Sequence, residues 1–307
     1  MRKQIGLIIS LTAVSAVAPV YAADGIKSYT TTLFDFDDRD SRNKKIRLIY
    51  SLENVWNTTA YPNGHKEVRF VLSGGSGFDM TGVPNKREWD TRYWESHHYY
   101  TLPTAFKLGI RYEGGSKLRH MNHKPETTIG TATVSESLDF NLGLGATASG
   151  SPSIGLTGGI SKSRRITYEQ KEFETIPNFK QDGESIEWLI EARSIGGYAP
   201  VKQNLIYRYT NCYHSNLKGI DKLPSVMRSD FRPQVGAVYR KDRIYDGDNS
   251  TQFKLTAGWR KSELYFWRDW CSWWTVASKS HMKYKDRHTW TSVDRYVTVR
   301  WMDSLYH

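Results

Sequence analysis

The stretch Ser137–Ser161, SLDFNLGLGATASGSPSIGLTGGIS, decides how the chain is read. Its even positions hold Leu138, Phe140, Leu142, Leu144 and Ala146, then Ile154, Leu156 and Ile160. Its odd positions hold Ser137, Asp139, Asn141, Gly143 and Gly145, then Ser153, Gly155, Thr157, Gly159 and Ser161. A period of two belongs to β-strands, whose successive side chains point to opposite faces. The segment therefore reads as a hairpin, oily on one face and wet on the other, folded on the centre ASGSPS. Positions summing to about 300 then face each other: Leu144 with Leu156, Leu142 with Gly158, Phe140 with Ile160, Glu136 with Arg164.

Leu138 to Ala146 is nine residues. At ~3.4 Å per residue and a tilt of ~40° the arm rises about 23 Å, close to the ~25 Å apolar band of a membrane-spanning β-barrel. Its large apolar side chains could contribute on the order of 10–20 kcal/mol on entering lipid, as an upper bound. A lone hairpin still leaves two open edges, and unpaired backbone groups in hydrocarbon cost several kcal/mol each. If it inserts, copies from other protomers must close it. Glycine, serine and threonine on the wet face suit a water-filled lumen, and no lysine or proline guards an edge. By pattern alone the segment fits either this ribbon or a half-buried hairpin in a sandwich.

The chain begins MRKQIGLIISLTAVSAVAPVYA, with a basic start, an apolar stretch and a small-residue exit, so residues 1–22 read as a secretory signal peptide. Outside it no run reaches the ~18 apolar residues of a transmembrane helix. Of 307 residues, 285 remain, enough for one large β domain or two smaller ones. The formal charge of +11 falls to +9 without Arg2 and Lys3, and a basic exported protein points to lipid headgroups rather than nucleic acid. Cys212 and Cys271 would meet oxidising conditions, where an even count favours one disulfide, with two buried thiols as the alternative.

Strand-like segments recur along the chain, among them KKIRLIYSLENV, KEVRFVLSG, AFKLGIRYEGG, RRITYEQKEFET, SIEWLIEARSI, RPQVGAVYRK, TQFKLTAGWRK and DRYVTVRW, with no long helical periodicity. That spacing is all-β, a sandwich rather than an α/β enzyme. YFWRDWCSWW (Tyr265–Trp274) packs four tryptophans into ten residues on both parities, so they cannot all face one core. Such a segment suits the membrane interface, whereas the scattered Trp56, Trp188 and Trp301 read as core. HMNH (His120–His123) and His97–His98 read as surface histidines, since no ligand partners stand at useful spacing. DGDNS (Asp246–Ser250) reads as a hairpin turn and FDFDDRD (Phe34–Asp40) as a solvated arm. No G-x-S-x-G, H-E-x-x-H or phosphate-cradling loop occurs, so no catalytic residue, metal or cofactor is expected.

SGSPSIGLTGGISKSRRITYEQKEFET, LPTAFKLGIRYEGG, and LPSVMRSDFRPQVGAVYR followed by TQFKLTAGWRKSELYF resemble the leukocidin/α-hemolysin family of β-barrel pore-forming toxins. The resemblance runs from about Lys44 to Trp301. It implies a secreted cytolysin with a β-sandwich cap, a lipid-touching rim, and a stem hairpin that joins an oligomeric transmembrane β-barrel. The expected layout is an arm and first part of the cap at 23–126, the stem at 127–168, and the rest of the cap at 169–307 with rim segments near 188–228 and 262–290. Leu138, Phe140, Leu142, Leu144, Ala146, Ile154, Leu156 and Ile160 would face lipid; Asp139, Asn141, Thr157 and Arg165 would face the lumen or its mouth. Tyr198 stands where the family carries a headgroup-contacting tryptophan, and joins Trp267, Arg268, Trp270, Trp273 and Trp274 as the expected lipid-binding set. Cys212 and Cys271 both fall in the rim, where a bond would cross-link two loops. The implied partners are membrane lipids, phosphocholine headgroups first and cholesterol left open, and further copies in a ring of seven or eight. A second toxin component is not required, and a non-lytic lectin or lipid-binding sandwich is the rival reading.

Overall fold

A computed structural model describes residues 26–37, 46–57, 66–72, 75–90, 95–115, 117–140, 155–156, 160–161, 163–199, 201–207, 209–210, 217–241, 250–268, 277–278 and 283–301. The first strands are β1 (Ile26–Asp37), β2 (Ile46–Asn57), β3 (Lys66–Leu72), β4 (Gly77–Asp79), β5 (Asn85–Asp90), β6 (Ser96–Gly115) and β7 (Arg119–Lys124). Next come β8 (Thr133–Asp139), β9 (Gly155–Leu156), β10 (Ile160–Ser161) and β11 (Ser163–Glu169). The chain continues through β12 (Phe173–Phe179), β13 (Ile186–Ala192), β14 (Tyr209–Thr210), β15 (Asp230–Phe231), β16 (Gly236–Lys241), β17 (Ser250–Arg268), β18 (Ala277–Ser278) and β19 (Lys283–Arg300). Two four-residue helices, Val201–Asn204 and Ser225–Arg228, are the α-helices among the described residues. None of these is long and apolar enough to cross a membrane.

Two antiparallel sheets face each other. One has the order β15-β4-β2-β3-β16-β7 with β1 added to β2; the other runs β12-β13-β6-β17-β19 with β5 added to β6. Alternation builds the core between them: Leu48, Tyr50 and Leu52 on β2, Val68 and Phe70 on β3, and Phe253, Leu255 and Ala257 on β17 are all buried. Phe70 meets Phe253 at a centroid distance of 4.8 Å, and Phe78 meets Phe106 at 5.0 Å. Trp188 and Trp301 are fully buried, each with its indole N–H satisfied, by Pro125 O and by Thr251 Oγ1. Their scattered placement already argues for that role; the Trp56 side chain is not among those described. The expected solvated arm is corrected in part: its Phe34–Asp37 portion belongs to edge strand β1, paired along β2.

Three long strands, β6, β17 and β19, carry the second sheet beyond the sandwich. On β17 the core-facing residues of the upper half are odd-numbered, Phe253 to Trp259, while in the lower half Leu264 and Phe266 are buried on the even face. On β6 the buried residues stay even, Tyr100 and Leu102 below and Phe106, Leu108 and Ile110 above, because the register slips at Thr104 and turns the strand over. The lower even face is covered by the segment between β13 and β15: Tyr100 Oη donates to Lys218 O, and Leu205, Leu217, Leu223 and Met227 are buried with it.

Candidate functional site

The strands that flank the quoted segment form their own two-stranded sheet. In β8, Val134, Leu138 and the following Phe140 are buried, while Thr133, Ser135, Ser137 and Asp139 are exposed. In β11, Ile166 and Tyr168 are buried, while Arg165, Thr167 and Glu169 are exposed. The period of two is thus real, and its apolar parity is packed into the main core. The pairing corrects the expected register by two residues: Asp139 faces Ser163, Leu138 faces Arg164 and Glu136 faces Ile166. A slip of two keeps every side chain on its own face, so the apolar pattern cannot detect it. Leu156 faces Ile160 in β9/β10 instead of meeting the first arm, which also corrects the expected pairs of Leu144 with Leu156 and Phe140 with Ile160. Leu142, Leu144, Ala146, Ile154, Asn141 and Thr157 lie outside the described residues. On the exposed face Arg165 donates from Nη2 to Ser135 Oγ at 3.0 Å, and Asp139 stands beside Ser137.

The pair rests on the outer face of the first sheet. Register puts Glu53 of β2 opposite Arg69 of β3, Arg69 opposite Val238 of β16, Glu67 opposite Arg240, and Val71 opposite Gly236. These residues have the parity opposite to the core-facing Phe70 and Ala237, where an uncovered sandwich would meet water. Yet Glu53, Glu67, Arg69 and Val238 are 0% exposed. Leu138 seats on Gly236, where a Cβ would come 2.6 Å from its Cδ2, so glycine makes room for it. Arg69 lies over the Phe140 ring at 4.1 Å and donates to Leu138 O at 3.0 Å. Glu53 Oε2 accepts from Arg69 Nε at 2.6 Å, and Oε1 accepts from Arg164 Nε at 2.7 Å. Burial pulls the Arg69 guanidinium below its ordinary value, and Glu53 opposes that shift. The Thr167 N–H donates to Gln234 Oε1 at 2.8 Å, another tie to the sandwich. Glu53, Arg69 and Gly236 escape a reading of sequence because their alternation marks them as solvent-facing; the covering strands are remote in sequence.

Tyr198 is 70% exposed at the end of a tight turn. Ile195 and Tyr198 exchange backbone hydrogen bonds around Gly196 (φ 63°) and Gly197 (φ 78°), the left-handed pair a two-residue hairpin turn requires. The Gly197 N–H donates to Glu172 Oε1, and Asn204 Nδ2 donates to Tyr198 O, so buried Ile195 and these bonds hold the ring outward. Trp267 is half-buried at the foot of β17. It belongs to a row of stacked rings that sequence reasoning missed: Trp89 to His97 at 5.3 Å, His97 to Tyr265 at 5.8 Å, and Tyr265 to Trp267 at 5.2 Å. Tyr198 stands on a different turn from this row. Arg268 ends β17, its side chain not described; Trp270, Trp273, Trp274, Cys212 and Cys271 lie outside the described residues.

His97 and His98 correct the expectation of surface placement, whereas His120 and His123 are half-buried. His98 is buried, its Nε2 2.7 Å from Ser96 Oγ and its Nδ1 3.1 Å from Glu88 Oε2, because the lower half of β6 is covered. His97 is buried between Trp89 and Tyr265. His120 and His123 pack together at 5.2 Å against Phe179, and burial pushes the pKa of His120 down to about 4. A cleft of about 290 Å³ opens where the 193–202 segment crosses the second sheet. Its polar lining is bonded within the wall: Arg260 to Glu191 at 2.5 Å and Thr104 at 3.0 Å, Ser262 to His288 Nδ1 at 2.8 Å.

The fold and site define a class: a two-sheet β-sandwich with an amphipathic strand pair folded back on a charged outer face. The Leukocidin/Hemolysin toxin family model matches residues 32–303, and the chain belongs to that family. It is similar to "Uncharacterized leukocidin-like protein 2" of Staphylococcus aureus (strain MRSA252), 22% identical over 204 residues, covering 64% of this chain and 55% of the relative. The chain thus matches little more than half the length of that curated relative. Among solved structures it is similar to one titled "Pore forming protein" (TM-score 0.58, 13% identity, 92% of this chain and 96% of the other). It is also similar to Clostridium perfringens delta-toxin (TM-score 0.55, 12% identity, 92% and 93%). At such identity these two likenesses speak for the fold.

Proposed function

We propose that this protein is a secreted pore-forming cytolysin whose stem, residues 127–168, leaves the cap on a target membrane and joins copies from other protomers in a transmembrane β-barrel. One observation carries the reading. Within the stripe whose parity suits lipid, Leu138 and Phe140 are buried on a sheet face built partly of charges, over Gly236 and Arg69, while Tyr168 meets Phe231 of the core. A permanent interface gains most from apolar groups on both sides, since buried charges cost solvation that pairing only partly returns. A removable cover favours a face that is also stable in water. The apolar stripe meanwhile exchanges one sheltered environment for another.

Backbone pairing demands closure in lipid, so release and ring assembly go together; family resemblance suggests seven or eight protomers. Tyr198, Trp267, Arg268, Trp270, Trp273 and Trp274 form the proposed attachment set for phosphocholine-type headgroups, with Asp139 and Arg165 lining the lumen or its mouth. A Cys212–Cys271 bond would tie two rim loops. The test is dye release from phosphatidylcholine vesicles, with and without cholesterol, combined with ring imaging. Leu142→Arg should bind vesicles like the parent and release no dye, because an arginine in the apolar band costs about 2–4 kcal/mol per strand. Full release by that variant would overturn the stem assignment.

A further inference from the structure

We propose that the buried Glu53–Arg69 pair couples the two strands of the folded stem, so that they leave the cap together. The use of such coupling rests on the pore-forming reading; its existence in the folded monomer does not. Glu53 Oε2 takes the guanidinium of Arg69 through Nε (2.6 Å) and Nη2 (2.5 Å), while Oε1 takes that of Arg164 through Nε (2.7 Å) and Nη2. Arg164 belongs to β11. The far side of Arg69 grips the first arm, donating to Leu138 O (3.0 Å) and covering the Phe140 ring (4.1 Å). An unbroken chain of charge-assisted contacts therefore runs from the second arm, through two cap residues, to the first arm.

Beside the β8/β11 ladder, which already joins the two arms to each other, burial makes this chain a second coupling that runs through the cap. Glu53 and Arg69 are both 0% exposed, and their shelter includes the strands that they hold. Withdrawing one strand removes its contacts to the Glu53–Arg69 pair while the other strand still keeps the pair from water, and buried charges with incomplete partners are costly. Withdrawing both returns Glu53 and Arg69 to water as a cross-strand pair on neighbouring strands, a tolerable surface arrangement. The half-released state is thus penalised relative to both end states. Nearby, on the same face, Glu67 and Arg240 pair at 3.5 Å.

Amide hydrogen exchange on the full-length monomer, without membranes, tests the coupling. Arg164→Met keeps the aliphatic stem of a 44% exposed residue and removes its charge. It should raise the opening of β8 and β11 by the same factor, tenfold or more, while amides of β6 and β17 keep their protection. Arg165→Met, on the exposed face of the same strand, should change neither arm. Faster exchange confined to β11, or no change in either arm, overturns the proposal. Glu53→Gln should loosen both arms further; where it fails to fold, Arg164→Met decides alone. Vesicle leakage by the parent protein separates the two ideas. Coupled opening without leakage retains the coupling and defeats the pore reading, whereas leakage with independently opening arms does the reverse.

Discussion

The two faces of the seven-stranded sheet both hold fully buried residues, yet they are made of different material. The inner face presents Leu48, Tyr50, Leu52, Val68 and Phe70 to the aromatic and aliphatic residues of the opposite sheet. The outer face presents Glu53, Glu67, Arg69 and Arg240 around Val238 and Gly236, and Leu138, Phe140 and Arg164 seat on its Gly236, Arg69 and Glu53. Burial alone does not separate a permanent core from a temporary contact; the chemistry of the surface beneath the cover does. An inner face stripped of its partner would expose a large apolar area, whereas the outer face stripped of its strands would resemble ordinary protein surface.

The sharpest way to break this comparison is to truncate one residue on each face. Phe70→Ala should destabilise the entire domain by about 3–5 kcal/mol, read as a lowered denaturation midpoint. Leu138→Ala removes comparable contacts on the other side, on the order of 2–4 kcal/mol. Its cost should appear as local release of β8 and β11 in hydrogen exchange, with β6 protection retained. Equal loss of protection throughout the sandwich would erase the distinction between the faces.

Acid provides a third, smaller probe, directed at the inner face near β7. The native pKa of His120, about 4, lies below its ordinary 6.5, so the unfolded chain binds a proton more readily than the native one. Stability is therefore fully retained above about pH 6.5, falls as pH drops through the window down to about 4, and levels off below it. Burial is the main cause and His123 adds to it, with Phe179 and Tyr239 packed against the ring and Glu126, Glu136 and Lys124 acting on His123. His120→Gln should flatten the slope of a pH-dependent melting series across that window. The smallest expected effect on stability is that of Tyr198→Ala, within about 0.5 kcal/mol because the ring lies in solvent. Vesicle binding should nevertheless fall; unchanged binding would remove Tyr198 from the attachment set.

Much of this architecture can be read before any coordinates are seen. Alternation finds the strands, the parity of the amphipathic segment separates buried Leu138 and Phe140 from exposed Ser137 and Asp139, and isolation in the chain marks Trp188 and Trp301 as core. Register is less legible because a slip of two leaves Leu138 on the same face whether it meets Arg164 or another residue. The site beneath the strands is the least legible. Glu53 and Arg69 carry the alternation of a wetted sheet surface, and the contacts that cover them come from residues 69 to 111 positions away. His98 misleads for a related reason: its cover comes from a distant segment near Leu217 rather than from its neighbours in sequence.

One strand draws the upper and lower parts of the molecule into a single mechanical unit. β17 runs 19 residues without a break in its pairing to β19, roughly 60 Å at ~3.3 Å per residue, and buries opposite sides of itself at its two ends. A one-residue deletion between Trp259 and Leu264 would present the wrong side to one of those two interiors. The lower portion is therefore no exchangeable cassette. Transplanting it onto a relative demands that the donor's phase change and the slip at Thr104 travel together, and a graft that respects only loop boundaries would fail at the splice.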